Sequence, residues 1–259
     1  MSLKRLARAL LPEPLLTMIS AVRARRHSHH LNRQWGVARL SARLLSELGP
    51  AVQAGPFRGL VLPSEAAAEH IGPYLLGTYE SELHAYWASL EPGSIPLIVN
   101  VGGKVGYYAA GLSRLLGARG IAYDADPWAR SVLQQTVALN AVDVEIRGRC
   151  SRAHLEDLPA GTLVMIDCDG CEEVLLQDPL PAGLVRSRLV IELHGASLEG
   201  DDTADRLRRT HDVVGVPSHQ TPAAPVMLAF LDEHERKLAV EEIREPQRWL
   251  LCTPSASRR

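Results

Sequence analysis

The chain has 259 residues, 46% hydrophobic and 22% charged, with a formal net charge of −2. That length supports one large α/β domain with an N-terminal extension, and the near-neutral balance gives no bulk electrostatic reason to expect a nucleic-acid partner. No run approaches the roughly 18 uninterrupted apolar residues of a membrane-spanning helix.

In chain order, residues 3–22 begin with Lys4, Arg5 and Arg8 and are interrupted by Pro12, Glu13 and Pro14. They make a poor signal peptide and are expected to form two short amphipathic helices packed on the main domain. Leu31–Leu48 carries apolar residues at helical spacing, and Gly49-Pro50 ends it. Residues 51–65 are expected to be a loop and short hairpin, and Ser64–His70 a short helix with a serine cap. A helix from Tyr79 places Tyr79, Leu83, Tyr86, Trp87 and Leu90 on one face, and Pro92-Gly93 breaks it. From there strands and helices alternate. Strand 1 is expected at about 96–101, a helix at 106–117, strand 2 at 120–124, and a helix from Asp126-Pro127 to Asn140, with Asp capping and Pro at the first helical position. Strand 3 follows at 143–148, a loop with a helical turn at 149–160, strand 4 at Thr162–Asp167, a helix from Gly170, strand 5 at Leu189–Leu193, a helix at Asp201–Arg209 and strand 6 at His211–Val216. Residues 225–243 are expected to be helical, Arg248–Thr253 a last strand and Pro254–Arg259 a frayed tail. The alternation implies a parallel sheet with ligands at the carboxyl edge of its strands. Residues 1–92 are expected to be a helical extension or lid, and 93–259 the ligand-binding domain.

Cys150, Cys168, Cys171 and Cys252 include one C-x-x-C, with no second pair to complete a zinc site. Reduced, buried thiols are expected, which fits a cytoplasmic location.

The organising stretch is Pro96–Tyr108. Leu97, Ile98, Val99 and Val101 read as a central strand covered on both faces. Gly102, Gly103 and Gly106 form a turn, and a helix follows whose N-terminus would face a ligand. Asp124 stands at the end of the second strand, where such folds bind ribose hydroxyls. The dinucleotide pattern G-x-G-x-x-G is not met, and no P-loop is present. The spacing does suit the first motif of class I S-adenosylmethionine (SAM) methyltransferases, [D/E]-x-G-x-G-x-G, with Asn100 in place of the acid and Lys104 in place of the middle glycine.

Further stretches point the same way: Gly59–Leu62, Leu76–Leu83, Asn100–Gly111, Tyr123-Asp124-Ala125-Asp126-Pro127, Ile166-Asp167-Cys168-Asp169-Gly170-Cys171-Glu172 and Val190–His194. Over roughly residues 55–200 the chain resembles a SAM-dependent methyltransferase of the FkbM-like type, whose members carry "FEPDP" after strand 2 and "IDxEGxE" after strand 4. The resemblance implies a Rossmann-like, mostly parallel seven-stranded sheet with helices on both faces, SAM as cofactor, and mostly O-methylation of small molecules or sugars. It also suggests that Thr78, Tyr79 and Glu80 lie over the cofactor; the other reading of these residues is a helix start with Tyr79 in the core.

Methyl transfer is an in-line displacement, and holding the acceptor in line supplies much of the catalysis. A neutral hydroxyl also needs a base, or a metal that lowers its pKa. Asp167, Asp169, Glu172, Glu192 and His194 follow strands 4 and 5 at the ligand edge. His194 is the general-base candidate, or a hydrogen-bonded structural histidine. Asp167 either caps a loop or contacts the methionine part of SAM or the acceptor. Asp169 and Glu172 sit at a helix start, where the dipole alone favours acids. Glu192, in an apolar strand, needs a partner. Asp167, Asp169, Glu192 and His194 are also oxygen-rich enough for a metal, but the family does not generally require one and none is assigned. Tyr107 either faces the cofactor, where cation–π attraction to the sulfonium would help, or packs in the core; the same holds for Tyr108. Cys150 and Ser151 follow strand 3, where class I enzymes hold adenine. The acceptor is expected to be a small-molecule hydroxyl, with no nucleic-acid partner and a homodimer left open. N- or C-methylation, and a SAM-fold binding protein without catalysis, are the alternatives.

Overall fold

A computed structural model describes residues 36–194, 202–218, 228–243 and 247–255. The expected N-terminal helices, the start of the helix expected at 225–243 and the last residues of the tail lie outside these.

The core is one seven-stranded sheet: β1 Ile98–Val101, β2 Gly120–Tyr123, β3 Val144–Arg147, β4 Leu163–Ile166, β5 Arg188–His194, β6 His211–Pro217 and β7 Gln247–Pro254. Its order is β3-β2-β1-β4-β5-β7-β6. The first five pair in parallel, and β7 runs antiparallel between β5 and β6. The sequence dictates this directly. β1 and β4 are buried at every position, as central parallel strands must be.

Side chains alternate between the two faces. Ile98, Leu163, Met165 and Val190 face one core cluster, while Val99, Val101, Val164, Ile166, Leu189 and Ile191 face the other. The first face is covered by α1 Val37–Leu48, the short helices α2 Gly72–Leu76 and α3 His84–Ala88, α4 Tyr107–Leu116, and α9 Glu233–Val240, with α5 Pro127–Leu139 continuing the layer over β2 and β3. The second face is covered by the 3-10 turn Arg152–Leu155 and by α6 Glu172–Leu175, α7 Ala182–Val185 and α8 Thr203–Leu207. This is the Rossmann-like, mostly parallel seven-stranded sheet with helices on both faces expected from the sequence.

Several local expectations change. α5 starts as expected, with Asp126 Oδ1 accepting from Trp128 N at 2.9 Å. The helix expected from Tyr79 is instead a 3-10 turn at Ser81–Leu83 followed by α3. Glu80, with φ 47°, breaks it. The helix at Ser64 is a 3-10 turn without a side-chain cap; the Ser64 hydroxyl goes to Glu65. α2 was not expected, because five residues including Gly72 and Pro73 give no periodicity to detect. No helix among the described residues is long and apolar enough to cross a membrane.

Candidate cofactor and acceptor site

The turn after β1 is held from three sides. Gly102 N and Gly103 N both donate to Tyr123 O, at 2.8 and 3.0 Å, tying the turn to β2. Asp167 N donates to Val101 O at 2.9 Å, tying it to β4. A Cβ on Gly102, at φ +94°, would lie 1.6 Å from Asp167 O, so no side chain fits there. The first two amides of the turn are therefore spent inside the protein. Glycine acts here by permitting close backbone approach, not by presenting those N–H groups to a ligand.

Asp124 closes β2 from the other side. Its Oδ2 accepts from Lys104 N at 2.8 Å and its Oδ1 from Asp126 N at 2.8 Å. Burial pushes its carboxyl above the usual carboxylate range, opposed by these two N–H donors. A carboxylate offers about four lone-pair sites, so two bonds leave capacity for ribose hydroxyls. Ala125 lies between Asp124 and Asp126 in this half-buried turn.

Lys104, at the position of the motif's middle glycine, has φ 44°. It takes the left-handed conformation a glycine would take, so the backbone path survives the substitution. Its side chain reaches Glu69, with Nζ 3.8 Å from the carboxylate. Of the four non-glycine residues with positive φ among those described, Glu80 and Asp169 are predicted site residues, Lys104 lies in the glycine motif, and Ala141 belongs to neither. Such backbone costs about 1–3 kcal/mol per residue and gathers where function requires it.

Glu80, Asp167 and Glu192 bring carboxylate oxygens within 4.8 Å of one another. Glu80 and Glu192 are only 1% and 2% exposed. Glu80 arrives from the covering layer: its carboxylate accepts from the Tyr108 hydroxyl at 2.5 Å, and its N–H donates to Glu242 at 2.9 Å. Asp167 and Glu192 arrive from the carboxyl ends of β4 and β5. Around them is an aromatic group: Tyr107 packs on Phe57, Tyr74, Tyr79 and Tyr108 with centroids 5.0–5.8 Å apart. Burial raises all four tyrosines above the usual phenol range, Tyr74 to about 12. All four are neutral hydroxyls at physiological pH.

The remaining predicted residues divide. Asn100 is 2% exposed, and neither amide atom has a hydrogen-bond partner among the described residues. Thr78 is buried against Pro73 O. Asp169 is exposed on the turn after β4. Glu172 secures that turn, accepting from Cys168 N and Gly170 N at 2.8 and 2.6 Å. Cys150 is buried, its thiol pushed up to about 12. Ser151 is exposed and forms a capping box with His154. His194 ends β5 opposite Gln247; its side chain lies outside the described part of the molecule.

The expectation of reduced thiols is corrected at one pair. Cys168 and Cys171 form a disulfide with Cα atoms 5.5 Å apart, whereas Cys150 and Cys252 are free. The tight turn around Asp169 and Gly170, both at positive φ, brings the two sulfurs together.

Nothing in the local sequence marks Glu242, 162 residues from Glu80, or Tyr74; only the fold brings them to the site. An open groove of about 630 Å³ between α5 and β3, lined by Arg130, Gln134 and Arg147 among others, includes none of the predicted site residues.

No protein-family model and no curated protein sequence matches the chain. Among solved structures it is similar to the C-terminal domain of precorrin-6Y C5,15-methyltransferase from Rhodobacter capsulatus, at 18% identity over 66% of this chain and 87% of that one, with a TM-score of 0.46. The precorrin-6Y C5,15-methyltransferase of Geobacter metallireducens gives 13% identity, 70% and 88% coverage and a TM-score of 0.47. A Klebsiella pneumoniae protein provisionally named an O-methyltransferase gives 14%, 89% and 97%, and 0.43. Likenesses this distant fix neither substrate nor accepting atom.

Proposed function

We propose that the chain is a SAM-dependent methyltransferase of the FkbM-like type that methylates a hydroxyl of a small molecule, a sugar or natural product. One observation carries the reading: the sealed glycine turn after β1 is joined through Lys104 N to a carboxylate at the end of β2 that retains accepting capacity. That is the arrangement a nucleoside with two ribose hydroxyls requires.

The residues present fit SAM. Asp124 would accept from the ribose, the Gly102–Gly106 turn, packed closely on the protein, sets the backbone path that positions Asp124, and the unpartnered amide of Asn100 lies beneath. When bound, SAM supplies an electrophilic methyl group on a sulfonium. Asp124 and the turn fix its position, and the buried tyrosines exclude water from the same side of the sheet. His194, at the end of β5, is the residue proposed to take the acceptor proton, and Asp167 the one that orients the hydroxyl in line. The amino-group signature N-P-P-[YF] is missing from the sequence, which favours oxygen over an amide or exocyclic amine.

The test is methyl transfer from isotopically labelled SAM to a panel of hydroxylated sugars and polyketide-like alcohols. Turnover that falls in His194→Ala while SAM affinity holds supports the assignment; unchanged turnover removes His194 from that role. A protein that binds SAM but methylates none of the panel would favour the binding-protein reading.

A further inference from the structure

The geometry points to a divalent-cation site formed by Glu80, Asp167 and Glu192. Three carboxylates from three separate parts of the chain converge, each offering an oxygen within 4.8 Å of the others. A hard cation with oxygen ligands, Mg²⁺, Mn²⁺ or Ca²⁺, is what such a set selects.

The convergence is supported from below and beside. Asn100 pairs in register with Met165, and Met165 with Val190. The next positions on the same face of β4 and β5 are Asp167 and Glu192. The Asn100 amide, 2% exposed and without a hydrogen-bond partner among the described residues, thus lies one row beneath the carboxylates on their own side of the sheet. Its carbonyl oxygen is a further hard donor of the kind a cation takes. The Tyr107 hydroxyl is likewise 2% exposed and unpartnered among the described residues, and the Glu80 carboxylate is its strongest electrostatic neighbour. Two buried polar groups with capacity unspent thus lie on the cluster's side of the sheet. Glu80 is presented by a left-handed backbone that its contacts to Tyr108 and Glu242 hold in place.

The role of such an ion rests on the methyltransferase reading; the site itself does not. A divalent ion lowers the pKa of a hydroxyl presented to it. The carbon–sulfur bond then breaks as the carbon–oxygen bond forms, the hydroxyl proton passes to His194, the proposed base, and S-adenosylhomocysteine leaves, with no change of oxidation state.

Terbium luminescence tests the site on the full chain without cofactor. Tyr79, which feels the charges of Glu80, Asp167 and Glu192 together, is placed to sensitise a bound ion. Emission should saturate and be displaced by Mn²⁺ or Ca²⁺. Glu192→Gln and the less buried Asp167→Asn should each weaken it at least about tenfold, while Glu233→Gln, on the exposed start of α9, leaves it unchanged. Circular dichroism checks folding, and Asp167→Asn decides if Glu192→Gln fails to fold. Absence of saturable emission in the wild type, or equal emission in Asp167→Asn, overturns the site. S-adenosylhomocysteine calorimetry on the same samples separates the two readings. Cofactor binding without terbium binding overturns the cation site and leaves the methyltransferase. Terbium binding without cofactor binding supports the site and removes its methyl-transfer role.

Discussion

Replacing Gly102 with alanine should cost far more stability than the same change at other positive-φ glycines. An added Cβ would sit 1.6 Å from the Asp167 carbonyl oxygen, a backbone atom that cannot turn aside. Left-handed backbone costs alanine about 1–2 kcal/mol. Forcing β1 and β4 apart adds about 1–3 kcal/mol of overpacking and weakens the bond from Asp167 N to Val101 O, worth about 1 kcal/mol. The total is about 3–6 kcal/mol, a large fraction of a domain's usual 5–15 kcal/mol or so. Gly117→Ala isolates the backbone part: φ is +64° and nothing lies within 4 Å, so the expected loss is about 1–2 kcal/mol. Gly103→Ala meets Leu133 Cδ1 at 2.3 Å, the movable end of a side chain, and should cost about 1–3 kcal/mol. Urea unfolding with matched m-values reads all three. A Gly102→Ala loss no larger than that of Gly117→Ala would refute the sealed turn.

Asp124→Ala should weaken S-adenosylhomocysteine binding at least tenfold, about 1.4 kcal/mol. It should also lower stability by about 1.5–3 kcal/mol, because the carboxylate holds Lys104 N and Asp126 N; unchanged affinity would show that it does not hold the ribose. His211 is buried against Ser187 O and Thr210, and burial lowers its pKa below 6.5. The unfolded chain then binds the proton more readily, so the His211 contribution is complete above about pH 6.5 and is lost as pH falls through the folded-state value. His211→Gln should flatten the fall in urea midpoint between pH 7 and 5, and an identical pH profile would contradict this. Thiol counting on the denatured chain should give two reactive cysteines without reductant and four with it; four in both cases would restore the reduced pair.

The sheet was legible because its signal is local. Apolar runs such as Leu97–Val101 and Leu189–Leu193 can only be buried strands, and Asp126-Pro127 and Gly102–Gly106 mark where the chain turns. Asp124, Asp167 and Glu192 could be placed at the ligand edge for the same reason. What escaped depends on distant contacts. Glu80 looked like part of a helix, because nothing near it in sequence shows that Tyr108 and Glu242 hold it in a left-handed turn. The outward path of the Lys104 side chain depends on Glu69. The Cys168–Cys171 pairing depends on the positive φ of Asp169 and Gly170, which a Cys-x-x-Cys spacing does not reveal.

The central claim is that the glycine turn and Asp124 hold S-adenosylmethionine. Titration calorimetry of the wild-type chain with S-adenosylmethionine and S-adenosylhomocysteine tests it most directly. The account predicts binding of both in the micromolar range, about −8 kcal/mol, at one site per chain. No heat of binding from either ligand, with a protein shown to be folded, would contradict it.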